Sequence, residues 1–119
     1  MKFERWLDKV LKKPLPSETV AVNFNLYELE ERNGESCWSV ELIGAEEFDE
    51  EDSDWACDEI FASERFDWKE AAEWDEVLSK VTEQIRAYLE NGKYAERLKA
   101  YQAVAVGFVD GDLNIVYQK

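Results

Sequence analysis

Nine carboxylates, those of Glu46, Glu47, Asp49, Glu50, Glu51, Asp52, Asp54, Asp58 and Glu59, fall between positions 46 and 59 with no Lys or Arg among them. Side chains of this type can do three kinds of chemistry. They can accept paired hydrogen bonds from guanidinium groups and draw in a cationic partner from a distance. They can converge as hard oxygen ligands on a calcium ion. They can serve as general acid and base on either side of a scissile bond. The spacing favours the first. A calcium-binding loop of the EF-hand kind wants acidic or amide residues at alternate positions, a glycine sixth and a glutamate twelfth, whereas a window opening at Asp49 has Asp54 sixth and Ile60 twelfth. Nothing singles out one pair of carboxylates for acid–base work. A solvated loop that merely aids solubility is the plain alternative.

The remaining inventory is poor in catalytic groups. The chain has no His, its two cysteines, Cys37 and Cys57, do not form a close-spaced ligand motif, and its glycines are isolated rather than gathered into a phosphate-binding loop. The expectation is a protein that is not an enzyme, with no catalytic residues, no metal ligands and no cofactor. Both thiols read as reduced and buried.

The acidic run is the centre of a wider asymmetry. Residues 14–64 hold sixteen Asp or Glu and one base, Arg32, so this half exceeds the whole net charge of −14, and the rest of the chain is close to neutral. Such a field steers a positively charged protein to one face and repels DNA, RNA and anionic lipid. A basic protein partner is expected, with no direct nucleic acid and no membrane. Charge alone gives little grip, so the partner surface needs apolar anchors, for which Trp and Tyr are the favoured types. Tyr27 and Trp55 are the candidates. Trp38 belongs to the core by its alternation, Trp68 is ambiguous, and Trp55 has the alternative role of a staple holding the acidic loop down.

These residues must be positioned by elements that the apolar spacing reveals. Phe3, Trp6, Leu7, Val10 and Leu11 recur at helical period, predicting a helix over 2–13 ended by Pro14 and Pro16. From Thr19 the period becomes two: Val20, Val22, Phe24 and Leu26 face one way, and Ala21, Asn23, Asn25 and Tyr27 the other. Asn33-Gly34 turns the chain into Trp38, Val40 and Leu42, completing a hairpin. The acidic segment reads as a surface loop pinned by Phe48 and Trp55, followed by a short strand over 60–63. Trp74, Val77, Leu78, Val81, Ile85, Tyr88 and Leu89 predict a long helix from about Lys69 to Glu90, ended by a left-handed Asn91-Gly92. Another turn or two of helix over 93–99 and a second hairpin, 102–109 with 113–117 about Asp110-Gly111, complete the chain. The small residues Ala103, Ala105 and Gly107 leave room for a helix to lie close on that strand.

The predicted architecture is an α+β domain over residues 1–119: an antiparallel sheet built from two hairpins, packed against a long helix and an N-terminal helix, with one sheet face open for recognition. A hydrophobic fraction of 45% with five Trp, five Tyr and six Phe supplies its core and sets it apart from an acidic disordered tail. The opening Met-Lys-Phe-Glu-Arg-Trp carries no apolar leader, and a cytoplasmic protein is expected.

Four segments together, Asn23 to Glu28, Glu41 to Gly44, Asp52 to Glu59 and Gly107 to Asp112, resemble a group of small acidic bacterial proteins that look like immunity proteins of toxin–immunity systems, of the contact-dependent or polymorphic toxin type. The likeness spans most of the chain. It implies a cytoplasmic inhibitor that neutralises a basic toxin, in the leading case a nuclease, by stoichiometric occlusion of its active site. Carboxylates from Asp49 to Glu59 would then pair with Arg and Lys near that site while Trp55 or Tyr27 fills an apolar pocket. An acidic interaction or adaptor domain of an unrelated pathway is the alternative.

Overall fold

The computed structural model describes residues 2–119; the side chain of Arg32, the one base of the acidic half, lies outside that description. The described residues form three α-helices and one six-stranded sheet. Helix α1, Lys2–Leu11, buries Phe3, Trp6, Leu7 and Leu11 on one stripe. Strands β1, Ala21–Arg32, and β2, Glu35–Ala45, form the long hairpin, and Asn33 and Gly34 take the positive φ values of 54° and 77° that its tight turn demands. After the acidic loop and a 3-10 turn over Ser53–Cys57 come β3, Glu59–Ala62, and β4, Phe66–Lys69. Helices α2, Trp74–Asn91, and α3, Ala95–Lys99, lead to the second hairpin, β5, Ala103–Phe108, and β6, Asn114–Gln118. No described helix is long and apolar enough to cross a membrane.

The strand order is β3-β2-β1-β5-β6, with β4 on the same edge of β2 as β3. Both hairpins are antiparallel, but β1 and β5 run parallel, from Ala21 beside Ala103 to Leu26 beside Phe108. The sheet is therefore mixed rather than wholly antiparallel. The cause is the connection: β4 is antiparallel to β2 and so runs with β1, and α2 and α3 carry the chain across the sheet to start β5 in the same direction. Strand β4 also shortens the predicted helix. Phe66 and Trp68 alternate and pair with Val40 and Trp38, so the chain is extended through Lys69 and the helix begins only at Trp74.

One sheet face carries the main core, where Val22, Phe24, Leu26, Trp38, Val40, Leu42, Val104 and Val106 meet the apolar stripes of the helices. Phe3 and Trp6 pack on Phe24 at 6.2 and 6.3 Å between ring centroids. Polar tethers fix the helices to each other: Tyr88 donates to Asp8 Oδ1 at 2.6 Å, and Arg97 donates to the carbonyls of Leu11 and Lys12 at the end of α1. Two predicted details differ. Trp74 lies outside the buried stripe of α2, 57% exposed at its first residue. Gly92 is extended, with φ −69° and ψ 153°, rather than left-handed.

Candidate functional site

The opposite sheet face is where the sequence places an open recognition surface, but most of it is covered, and Asn25 and Tyr27 are only partly exposed. Ala21, Ala45, Ala103 and Ala105 form a shallow floor, and Trp55 from the 3-10 turn lies on it, only 4% exposed. Small residues are required there because the indole occupies the space their side chains would fill. Strand β5 thus has neither face in water, although the cover is this turn, together with Asp112 and Leu113 over Gly107, and not a helix. Phe48 meets Trp55 edge-on at 5.4 Å, closing the pin at the other end of the loop. Trp55 takes the staple role: its ring fills a pocket of its own chain.

Around this staple the predicted carboxylates all point outward. Glu46, Glu47, Asp49, Glu50, Glu51, Asp52, Asp54, Asp58 and Glu59 are exposed, and among the described residues none forms an ion pair with Lys or Arg. Two of them hold the loop's own backbone. Asp49 Oδ1 accepts from Glu51 N at 2.9 Å, and Asp52 Oδ1 accepts from Asp54 N at 3.0 Å as the cap of the 3-10 turn. Glu50 accepts from Gln118 of β6 at 2.9 Å, tying the loop across to the far sheet edge. Glu46, Glu47, Glu51 and Asp54 have no such side-chain bond and present their charge directly to solvent. Among the described residues no group of three or more His, Cys, Asp or Glu side chains is arranged to hold a metal ion.

The rest of the face is polar, internally bonded and itself largely buried, with Asn23 1% and Ser39 0% exposed. Glu41, 8% exposed, lies opposite Asn25 in the hairpin register and accepts from Tyr27 Oη and from Asn25 Nδ2 at 3.3 Å. Asn25 Oδ1 in turn accepts from Asn23 Nδ2 at 2.6 Å, while the buried Asn23 Oδ1 has no partner. Arg65 lies over the Tyr27 ring, 3.9 Å from its centroid, and pairs with Glu41 at 3.5 Å. It reaches them because residues 63–65 bulge between β3 and β4, three residues facing Glu41 and Leu42 of β2. Burial, and then the hydrogen bond to Glu41, push the Tyr27 phenol up to about 12. Tyr27 is therefore half-buried and engaged with its own chain, with an edge still accessible.

Glu41 and Arg65 are site residues that composition does not single out. The signal lies in pairing: Ser39 and Glu41 share the non-core face of β2, so any register that matches the apolar faces places them beside Asn25 and Tyr27. Cys37 is buried, as expected, whereas Cys57 at the end of the 3-10 turn is exposed; both are free thiols.

No known protein family, curated protein or solved structure matches this chain.

Proposed function

We propose that this chain is a cytoplasmic immunity protein that binds a basic nuclease toxin and neutralises it by covering the toxin's active site with an acidic surface. The observation that carries the reading is the set of outward, unpaired carboxylates of residues 46–59 on a loop anchored by Trp55. A chain with no use for that field would relieve its self-repulsion with interspersed Lys or Arg, as the rest of this sequence does. Anchoring adds a second advantage. A loop already ordered in the free protein loses less conformational entropy on binding than a flexible acidic tail. Toxins with nuclease activity are commonly basic where they grip a phosphate chain, so the field meets the part of such a toxin that an inhibitor needs to cover.

The test is purification of the native complex from its host at low salt, followed by association kinetics with the identified partner. The expected result is a basic partner whose nuclease activity is lost in the complex. Its association rate should fall steeply between low salt and about 0.3 M NaCl, where charges attract one another over only a few ångströms. Reversing Glu46, Glu47 and Asp54 to Lys should slow association about tenfold or more without unfolding the protein. A rate that is flat across that salt range, or a stoichiometric partner with no basic surface, removes this reading.

A further inference from the structure

With Trp55 buried, the acidic loop supplies charge without an apolar anchor, and the anchor lies elsewhere. At the far end of β1 an open cleft of about 650 Å³ runs between β1, the first residue of α2 and the loop that joins β5 to β6. Among the described residues four large hydrophobic side chains are exposed, Ile60, Trp74, Val109 and Ile115, and the two most exposed, Trp74 at 57% and Val109 at 52%, both line this cleft. Single exposed apolar residues are ordinary, but two adjoining a partly buried Phe108 and Leu29 in one concavity form a contiguous patch. The Trp74 ring is also held in place. Its edge contact with Phe108 is 6.1 Å between centroids at 86°, and Phe108 in turn meets the buried Trp38 at 6.0 Å.

We infer that this cleft receives an apolar side chain flanked by Lys or Arg on a basic protein partner, making Trp74 and Val109 the apolar half of a two-part binding surface. The inference rests on the immunity reading and adds the anchor that reading lacks. Charge selects the occupant. Glu28, Glu30 and Asp110 line the cleft, and no described lining residue is Lys or Arg. A second copy of this chain would bring those carboxylates and its own net charge of −14 against the same rim, so self-association is disfavoured. The two parts lie roughly 25 Å apart along β1 at strand rise, from Ala21 under Trp55 to Leu29 in the cleft, and Trp74 and Phe108 stand on the helix side of the sheet, so the partner reaches the cleft around the end of the sheet. Tyr27 joins the two parts, standing beside Glu41 and Arg65 on the polar face and lining the cleft as well.

The test is a titration of the full-length 15N-labelled protein with three peptides: Lys-Phe-Lys-Leu-Lys, its polar counterpart Lys-Ser-Lys-Ser-Lys, and the acidic Glu-Phe-Glu-Leu-Glu. The first should shift the Trp74 indole resonance and the amides of 28–30 and 108–111; the second should shift only the amides of 46–59; the third should shift neither region. Trp74→Ala should weaken the first peptide about tenfold and leave the second unchanged. Val109→Asn gives the same comparison if Trp74→Ala perturbs the fold. Shifts from the first peptide confined to 46–59 overturn the cleft as anchor while the immunity reading stands. No response to either cationic peptide removes both. Trp74 shifts that grow with protein concentration alone make the occupant a second copy and overturn the inference too.

Discussion

Gly92 is glycine because of a neighbouring ring. A Cβ built there would lie 2.5 Å from Tyr88 Cδ1, and that ring is fixed at its far end, where the hydroxyl donates to Asp8 and accepts from Tyr94 N at 3.2 Å. An ordinary Gly→Ala change at negative φ stabilises by roughly 0.4–1 kcal/mol, through the unfolded chain. Gly92→Ala should instead cost about 1–3 kcal/mol, the usual penalty of overpacking, because the Tyr88 ring must leave its place. Urea unfolding decides the sign, and a raised midpoint would show that the ring moves freely. The tyrosines make a second prediction at this scale. Burial foremost raises Tyr27 to about 12 and also raises Tyr88 and Tyr101, with hydrogen bonds to Glu41 and Asp8 adding to the effect at Tyr27 and Tyr88. A group whose folded pKa lies above its unfolded value gives its full stabilisation below the unfolded value, here about 10, and loses it as pH rises toward the folded one. Stability should therefore be level with respect to these groups up to about pH 10 and fall above it. In absorbance titration Tyr27, Tyr88 and Tyr101 should ionise late, and ionisation of Tyr27 and Tyr88 near pH 10 would contradict their bonding described above.

At the scale of elements, the acidic loop and the sheet beneath it form one packed unit. Removing the buried indole with Trp55→Ala should cost about 3–5 kcal/mol, the range for emptying a large aromatic site, and should speed amide exchange across 46–59. Trp74→Ala removes a ring of the same size from an exposed position and should stay within about 0.5 kcal/mol. Equal losses for the two would mean that their surroundings differ less than the fold indicates. The same contrast separates the carboxylates. Asp52 caps the 3-10 turn, so Asp52→Ala should cost about 0.5–2 kcal/mol, whereas Asp54→Lys, which removes no side-chain hydrogen bond, should leave stability nearly unchanged. Charge reversal at Asp52 therefore mixes two effects, and Glu46, Glu47, Glu51 and Asp54 are the cleaner probes of the field.

For the whole molecule the separation of charge is the governing property. Residues 46–59 place nine carboxylates on one surface, and the described ion pairs lie elsewhere and join mostly exposed groups, which contribute little each. Self-repulsion in that half should make the free protein more stable in moderate salt. Its Tm should rise by a few degrees from low salt to about 0.3 M NaCl as the Debye length shrinks. A Tm that falls would mean that attractive pairs dominate the balance. The same screening should weaken association with a basic partner, so stability and binding should respond to salt with opposite signs.

Local patterns in this sequence were enough for both hairpins and the buried stripe of α1, because each depends on residues near one another in the chain: alternation, helical spacing, and Asn33-Gly34 with its positive φ. They also carry a conflict that reveals an irregularity. Arg32 pairs with Glu35, and strict continuation of that register would set Tyr27 against Val40; matching the apolar faces sets Leu26 there instead, and the hairpin shifts between Leu29 and Arg32 to satisfy the core. What only the tertiary structure decided depends on segments distant in sequence. The parallel pairing of β1 with β5 follows from where α2 and α3 set the chain down. The extended form of Phe66–Lys69 follows from β2 being free to pair with it. The roles of the tryptophans follow from the same cause: Trp55 lies among acids yet is buried, because alanines from three strands assemble its seat, and Trp74 fits an apolar stripe yet is exposed, because the core ends one turn below it. Charge is a property of composition and was legible from the start; burial is a property of neighbours, and the neighbours come from the fold.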